Sequence, residues 1–192
     1  GDTVNHQGER FRVRGRSLAT GARAVPIVLA ASGPQMLALA GAVADGVLIS
    51  AAAAPAFLRW SLDHVRSGEA KSGRQIRKIG LVFAAMNRNE KAARDSIRRV
   101  LAFVLRGAHH AHNLELAGSR LDQGALADAF AREDWAAVDR LMRDDVVRRH
   151  AASGTPEQVR AAFAAYHALG LDEVVIAGAA GSPMLGQILE TA

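Results

Sequence analysis

"VPIVLAASGPQMLALAGAVADGVLIS", residues 25–50, is the stretch on which the fold turns. An apolar run meets a small-residue turn at Ala31-Ser32-Gly33-Pro34. An Ala/Leu helix pattern follows, and a second apolar run begins after Ala44-Asp45-Gly46. Strands that are apolar throughout, with a helix between them, read as a parallel βαβ unit. The first core strand is expected over Ala24–Ala31, buried on both faces. Ser32 or Gly33 suits the N-cap of the following helix, and Pro34 its first turn, where a missing N–H costs little. Met36, Leu39, Ala40 and Val43 recur at i, i+3, i+4 and i+7, which predicts the packed face. Asp45-Gly46 turns the chain into a second strand, Gly46–Ser50.

The pattern continues outward in both directions. Upstream, Phe11 and Val13 alternate with Arg10, Arg12 and Arg14, so residues 1–16 read as a hairpin or extended arm with Gly8 at its turn. Downstream, Pro55 starts a helix that should run to about Arg66, where "SGEAKSG" is expected to break it. A third strand covers Lys78 to Met86. Asn87 or Asn89 then caps a helix with Ala93, Ile97, Val100, Leu101 and Val104 on one face. Residues 108–151 are helical, with an amphipathic pattern at Asp134, Trp135, Val138, Leu141 and Met142. Thr155, Pro156 and Gln158 form a capping box for a helix that buries Val159, Ala162, Phe163 and Tyr166 and ends at Gly170. A fourth strand follows at Glu173–Ala177, and "GSPM" (181–184) leads into a short last helix.

Alternating strands and helices of this order predict an α/β fold with parallel strands and right-handed crossovers. No linker interrupts it, so residues 1–192 read as a single partial domain: an arm over 1–16, then βα units over 24–192. Four βα units are too few for a closed barrel, which needs eight strands, and an open sheet of four leaves two parallel edges bare. The chain is then half of a TIM (β/α)8 barrel or a small doubly wound sheet. An opening on Gly1 rather than Met favours the half-barrel, as a fragment.

Composition narrows the function classes. The chain is 49% hydrophobic and 22% charged, as in ordinary globular proteins. Asp45 and several glycines interrupt its longest apolar stretch, so no membrane span is expected. Without cysteine there are neither disulfides nor thiolate metal sites. No secretory pattern is visible, and a cytoplasmic location is the default expectation. The formal charge of +5 rests on arginine, since the lysines are Lys71, Lys78 and Lys91 alone. That balance suits phosphate-bearing ligands or nucleic acid. The stripe Arg10, Arg12, Arg14 and Arg16 lacks stacking aromatics beyond Phe11, so a solvated strand face is the better reading than a nucleic-acid site.

In both architectures chemistry sits at the C-terminal ends of the strands. Ser32-Gly33 lies there and opens a helix, whose free N–H groups and dipole attract anions. Gly33 permits close approach and Ser32 adds a hydroxyl, so a phosphate would fit. From the residues alone a plain packing turn is the favoured reading and the anion site the alternative. Neither GxGxxG nor GxxxxGK[ST] occurs. His109, His110 and His112 carry no acidic partner at ligand spacing, and a solvated or capping role is favoured over a metal. Asp144 with Asp145, and Glu133 with Asp134, read as surface charge rather than a catalytic dyad. Trp60 and Tyr166 lie in helical patterns and should pack.

Three segments together resemble the luciferase-like monooxygenase superfamily, whose members use flavin or the deazaflavin coenzyme F-420. "PIVLAASGPQMLALAGAVADGVLIS" (26–50) is similar to that family's fifth strand, helix and sixth strand, with a texture close to the methylenetetrahydromethanopterin reductase branch. "GTPEQVRAAFAAYHALGLDEVVIAG" (154–178) is similar to its last helix and eighth strand, and "GSPM" follows as in that branch. The opening "GDTVNHQGERFRV" resembles the extended insertion before strand five. The resemblance implies the C-terminal half of a TIM barrel, with strands five to eight present and an N-terminal half-barrel as the missing partner. It implies an oxidoreductase or monooxygenase acting by hydride transfer or oxygen activation on a small organic substrate, with FMN or F-420 as cofactor. Carried over, Ala30, Ala31, Ser32 and Gly33 become cofactor contacts, with Ser50 at the end of strand six as a further one. The residues after that strand read "SAAAAP", without the lysine some deazaflavin members carry there. No catalytic acid or base is assigned; His64, His150 and His167 match no family position. The alternatives are a non-catalytic half-barrel that acts as an interaction module, with a homo-oligomer among its partners, and, behind it, a nucleic-acid binder.

Overall fold

Val28, Leu29, Ala30 and Ala31 pair in parallel with Gly46, Val47, Leu48 and Ile49, and the rest of the chain is built around this ladder. The computed structural model describes residues 2–21, 23–49, 51–179 and 184–191. An antiparallel hairpin comes first, β1 (Val4–Gln7) and β2 (Arg12–Arg16), closed by the Gly8 N–H donating to the Phe11 carbonyl at 2.9 Å. Then follow β3 (Val28–Ala31), α1 (Pro34–Val43), β4 (Gly46–Ile49), α2 (Pro55–Ser72), β5 (Arg77–Met86) and α3 (Glu90–Leu105). A 3-10 turn at Ala108–His110 leads into α4 (Ala111–Leu116), α5 (Gln123–Ala131), α6 (Trp135–Leu141) and α7 (Asp144–His150). The chain closes with β6 (Ala152–Gly154), α8 (Pro156–Ala168), β7 (Glu173–Ala177) and α9 (Leu185–Thr191).

The sheet runs β3-β4-β5, all parallel. The long β5 then carries β7 along Ile79–Phe83 and β6 along Ala84–Met86. The four strands expected from the sequence are therefore neighbours in order, with parallel crossovers. The three-residue β6 is an addition, because its Ala-Ser-Gly sequence carries no strand signal of its own. It is a strand only through pairing with β5.

The two faces of the sheet differ. Ala31, Val47, Ile49, Val82, Ala84 and Met86 face α1, α2 and α8 and form one core with Leu37, Leu58, Leu62, Val65, Val159 and Phe163. Burial of each such aliphatic side chain stabilises by about 2 kcal/mol relative to leaving it in water. On the other face Phe83 and Ala85 pack beneath α3 and the helices after it, with Ile97, Leu101, Leu126, Val138, Met142 and Val147. Further along that face, Val28, Ala30 and Val175 are exposed, and Leu48 and Leu81 are half-buried.

Three expectations are corrected by this layout. The first core strand is shorter than Ala24–Ala31 and is not buried on both faces: Val25, Ile27 and Val28 are exposed, because β3 is an edge strand with one open face. The packed face of α1 is Leu37, Ala40, Gly41 and Ala44, whereas Met36, Leu39 and Val43 are 44%, 46% and 58% exposed. That helix is apolar nearly all round, so periodicity could not single out the side that meets α2. Finally, "SGEAKSG" does not break α2, which runs through it to Ser72 and stops at Gly73, in the left-handed region at φ +69°. Gly68 is there for packing: a Cβ on it would collide with the Ala38 carbonyl, and one on Gly41 with the Val65 carbonyl. The α1–α2 pair is close because both helices carry glycine at the crossing.

Other expectations hold. Asn89 caps α3, accepting from the Lys91 and Ala92 N–H groups, and the Thr155–Gln158 capping box opens α8. Tyr166 is buried, and Trp60 packs against Phe57, His64 and His112.

Candidate functional site

The C-terminal ends of β3 and β4 lie side by side, Ala31 opposite Ile49, and each strand hands the chain to a helix. At the first junction Gly33 is the N-cap of α1 with Pro34 next, and no side chain caps the helix start. The Leu37 N–H is taken by the Gly33 carbonyl at 3.0 Å. The Gln35 and Met36 N–H groups precede it, in the first turn, where intrahelical partners are lacking. A Cβ on Gly33 would meet nothing within 4 Å, so the space in front of the turn is open. Ser32 is exposed beside it. An anion would meet two free N–H groups, a hydroxyl and the positive end of a helix there.

The site residues expected from the sequence are only partly brought together. Ala30 is exposed on the open face of the sheet, Ser32 is exposed at its rim, and Gly33 is half-buried at the helix start. Ala31 is 6% exposed and packs on the opposite, helix-covered face, so it can offer a ligand its backbone alone. Ser50 lies outside the described residues, as do positions 181–183 of the "GSPM" segment.

Asp45 stabilises the far end of the same strand pair. Its carboxylate accepts the Ile27 N–H at 2.9 Å and pairs with Arg74 at 2.9 Å. The backbone hydrogen bond, joined by the guanidinium, holds the Asp45 carboxyl below the usual carboxylate range.

The second junction contains polar chemistry that the sequence did not announce. Asn113 and His150 are 2% and 1% exposed, and both hydrogen-bond the backbone of the loop leaving β4. His110 is buried as well, at 8% exposure. Burial, with repulsion from His109 and His150, pushes it down to about 4 from 6.5. The reading of the His109–His112 stretch as solvated is thus corrected for His110, and His112 stacks edge-on against Trp60. The one hint in the sequence was a set of polar residues embedded in an otherwise Ala/Leu-rich helical stretch.

The acidic pairs have structural partners. Asp144 accepts from Arg98 at 2.6 Å and from Arg94 at 2.9 Å, and both guanidiniums are nearly buried. Those two cations hold the Asp144 carboxyl below its usual range, the Arg98 hydrogen bond foremost. Asp134 caps α6. A charged cleft of about 550 Å³ between α3 and α7 is lined by this network and is internally paired. An apolar cavity of about 350 Å³ lies among Ala54, Leu116, Ala162 and Tyr166, with Arg148 and Arg149 at its lining. Among the described residues no group of three or more His, Asp and Glu side chains is placed to hold a metal. None of the described helices is long and apolar enough to cross a membrane.

Comparison with known proteins agrees with this geometry. The 5,10-methylenetetrahydromethanopterin reductase of Archaeoglobus fulgidus is 31% identical over 96% of the chain. Among solved structures, the coenzyme F420-dependent tetrahydromethanopterin reductase of Methanopyrus kandleri superposes on the whole chain with a TM-score of 0.82 at 22% identity, over 56% of its own length. An F420-dependent secondary alcohol dehydrogenase superposes on 91% of the chain with a TM-score of 0.68 at 17% identity, over 49% of its own length. The chain spans about half the length of the curated relatives it matches, 56% of the Archaeoglobus protein. Its α/β architecture is that of half a TIM barrel, as the sequence led one to expect. The model of the luciferase-like monooxygenase family matches residues 1–173, and with the parallel βα succession and the open helix start at Gly33 this chain belongs to that family, one whose named members are reductases and monooxygenases.

Proposed function

We propose that this chain is the C-terminal half of a luciferase-like oxidoreductase barrel, a single partial domain over 1–192 whose first 16 residues form an arm, and that it holds the anionic end of a deazaflavin or flavin cofactor. The observation that carries the reading is the uncapped, open start of α1 at the end of β3, with Gly33 facing free space. Ser32, Gly33 and the N–H groups of the first turn would receive a phosphate, Ala30 would lie under the cofactor on the open face of the sheet, and Ser50 is the further contact that the family resemblance implies. Ala31 would contribute through its backbone. When bound, the cofactor supplies hydride transfer or oxygen activation; the protein supplies orientation and electrostatics. Solved enzymes of this fold hold F420 or FMN, so both cofactors stay in the proposal. The reductases' own substrate, methylenetetrahydromethanopterin, is the first small organic acceptor to assay.

The test is cofactor titration of the full-length gene product with F-420 and with FMN. One of them should bind. Ser32→Asp, which sets a carboxylate against the phosphate, should weaken that binding by about tenfold or more, equivalent to about 1.4 kcal/mol. Unchanged binding in Ser32→Asp places the phosphate elsewhere. Absence of binding by either cofactor sinks the reading.

A second reading, a non-catalytic half-barrel that serves as an interaction module, is favoured by the apolar residues left exposed on β3, α1 and β7. A folded full-length protein that binds neither cofactor yet captures a defined partner through that face would establish it.

A further inference from the structure

The loop from β4 into α2 contains an alanine in the left-handed region: Ala52 has φ +53° and is 1% exposed. For a residue with a Cβ this conformation is disfavoured by crowding against the backbone, and it persists only where the surroundings impose it. The surroundings here are specific. The Ala52 carbonyl oxygen accepts from Asn113 Nδ2 at 2.9 Å and lies 2.8 Å from His150 Nδ1. A carbonyl can only accept, so Nδ1 carries the proton, and Nε2 is left to accept from the Ser119 hydroxyl at 2.9 Å. Asn113 uses its other end as well: its Oδ1 accepts the N–H of Ala54, the N-cap residue of α2, at 3.1 Å. One side-chain amide therefore spans residues 52 and 54, and the imidazole fastens the same carbonyl from a helix 98 residues further on.

We propose that Asn113 and His150 are positioning residues that hold Ala52 left-handed and so set the course of the backbone leaving β4 at the cofactor end of the sheet. This rests on the reading of that end as the cofactor site. The helical segment after α3 then has a task besides covering the sheet: it fixes, through two buried side chains, a loop whose strand lies directly beside β3 and its Ser32-Gly33 turn. Without the brace, Ala52 falls back to conformations open to alanine, and the loop takes another direction. Glycine at 52 would need no brace, since it enters the left-handed region without penalty. Simple core filling by Asn113 and His150 makes the opposite prediction, because a change at 52 would not mend a packing defect at 113 or 150.

The experiment is a double-mutant cycle in the full-length protein, with Asn113→Ala and His150→Ala each made alone and combined with Ala52→Gly. It is read by F-420 and FMN titration and by amide hydrogen exchange over residues 51–54. Each single variant should weaken cofactor binding by about tenfold, the scale set by losing the competent loop conformation, and should speed exchange at Ala54. Adding Ala52→Gly should return binding to within about threefold of wild type in both backgrounds, and should slow that exchange again beside His150→Ala, where Asn113 Oδ1 still accepts the Ala54 N–H. Unchanged binding in the single variants overturns the proposal, as does weakened binding that Ala52→Gly leaves unrepaired. If wild-type protein binds neither cofactor, the cofactor reading has failed separately, and exchange in the His150→Ala background decides the brace: acceleration reversed by Ala52→Gly upholds the grip on Ala52, and any other pattern overturns it.

Discussion

His110 illustrates how one side chain ties local placement to solution behaviour. Its ring is held near a pKa of about 4 by burial and by neighbouring His109 and His150, against 6.5 when free. The unfolded chain therefore takes up a proton below 6.5 that the folded chain refuses until about 4. This part of the stability is complete above pH 6.5 and is lost as pH falls through that window. The loss is on the order of 3 kcal/mol. His150 shifts in the same direction through its own burial. Urea midpoints measured from pH 7.5 down to 4.5 should fall, and His110→Gln should flatten part of that slope; a slope untouched by the substitution would remove His110 as its source. At this scale the sequence was a partial guide. The helix start at Gly33 was legible because an apolar strand ends there and Pro34 follows. Asn113 and His150 were not, since their partners lie 61 and 98 residues away at Ala52.

At the scale of elements, the α1–α2 crossing is the most demanding contact. Gly41 and Gly68 each sit where any Cβ would strike a carbonyl of the facing helix. Gly68→Ala or Gly41→Ala must push the helices apart and should cost about 2–3 kcal/mol despite the better helix propensity of alanine. Chemical denaturation of either variant checks this; a neutral or stabilising result would mean that the helices cross farther apart than described. The same contact explains why α2 runs past the point at which its sequence predicts an end. A Gly-Ser-rich segment looks like a break when read locally, yet tertiary packing demanded small residues there. The caps at Asn89 and Thr155 are legible because their hydrogen bonds span three residues or fewer.

For the whole molecule, the asymmetry of the sheet governs behaviour. One face is sealed by α1, α2 and α8, while Val28, Ala30 and Val175 on the other face, and Met36, Leu39 and Val43 on α1, remain exposed. Exposed apolar side chains beside an unpaired parallel strand edge drive association. Sedimentation of the 192-residue chain at micromolar concentration should therefore show self-association, and Val28→Lys with Val43→Lys should shift it toward monomer. A well-behaved monomer would show that these edges are less adhesive than their composition implies.

The sequence by itself determined the main succession of βα units, the caps at Asn89 and Thr155, the family resemblance and the turn at Ser32-Gly33, because each rests on patterns within short stretches of chain. Tertiary structure decided which side of α1 is buried, that α2 continues through "SGEAKSG", that Ala31 turns away from the open face, and that residues 152–154 form a strand. It also decided that Ala52 is gripped by Asn113 and His150. These depend on which surfaces meet, and a helix apolar on every side or an alanine in a loop carries no local mark of its partner.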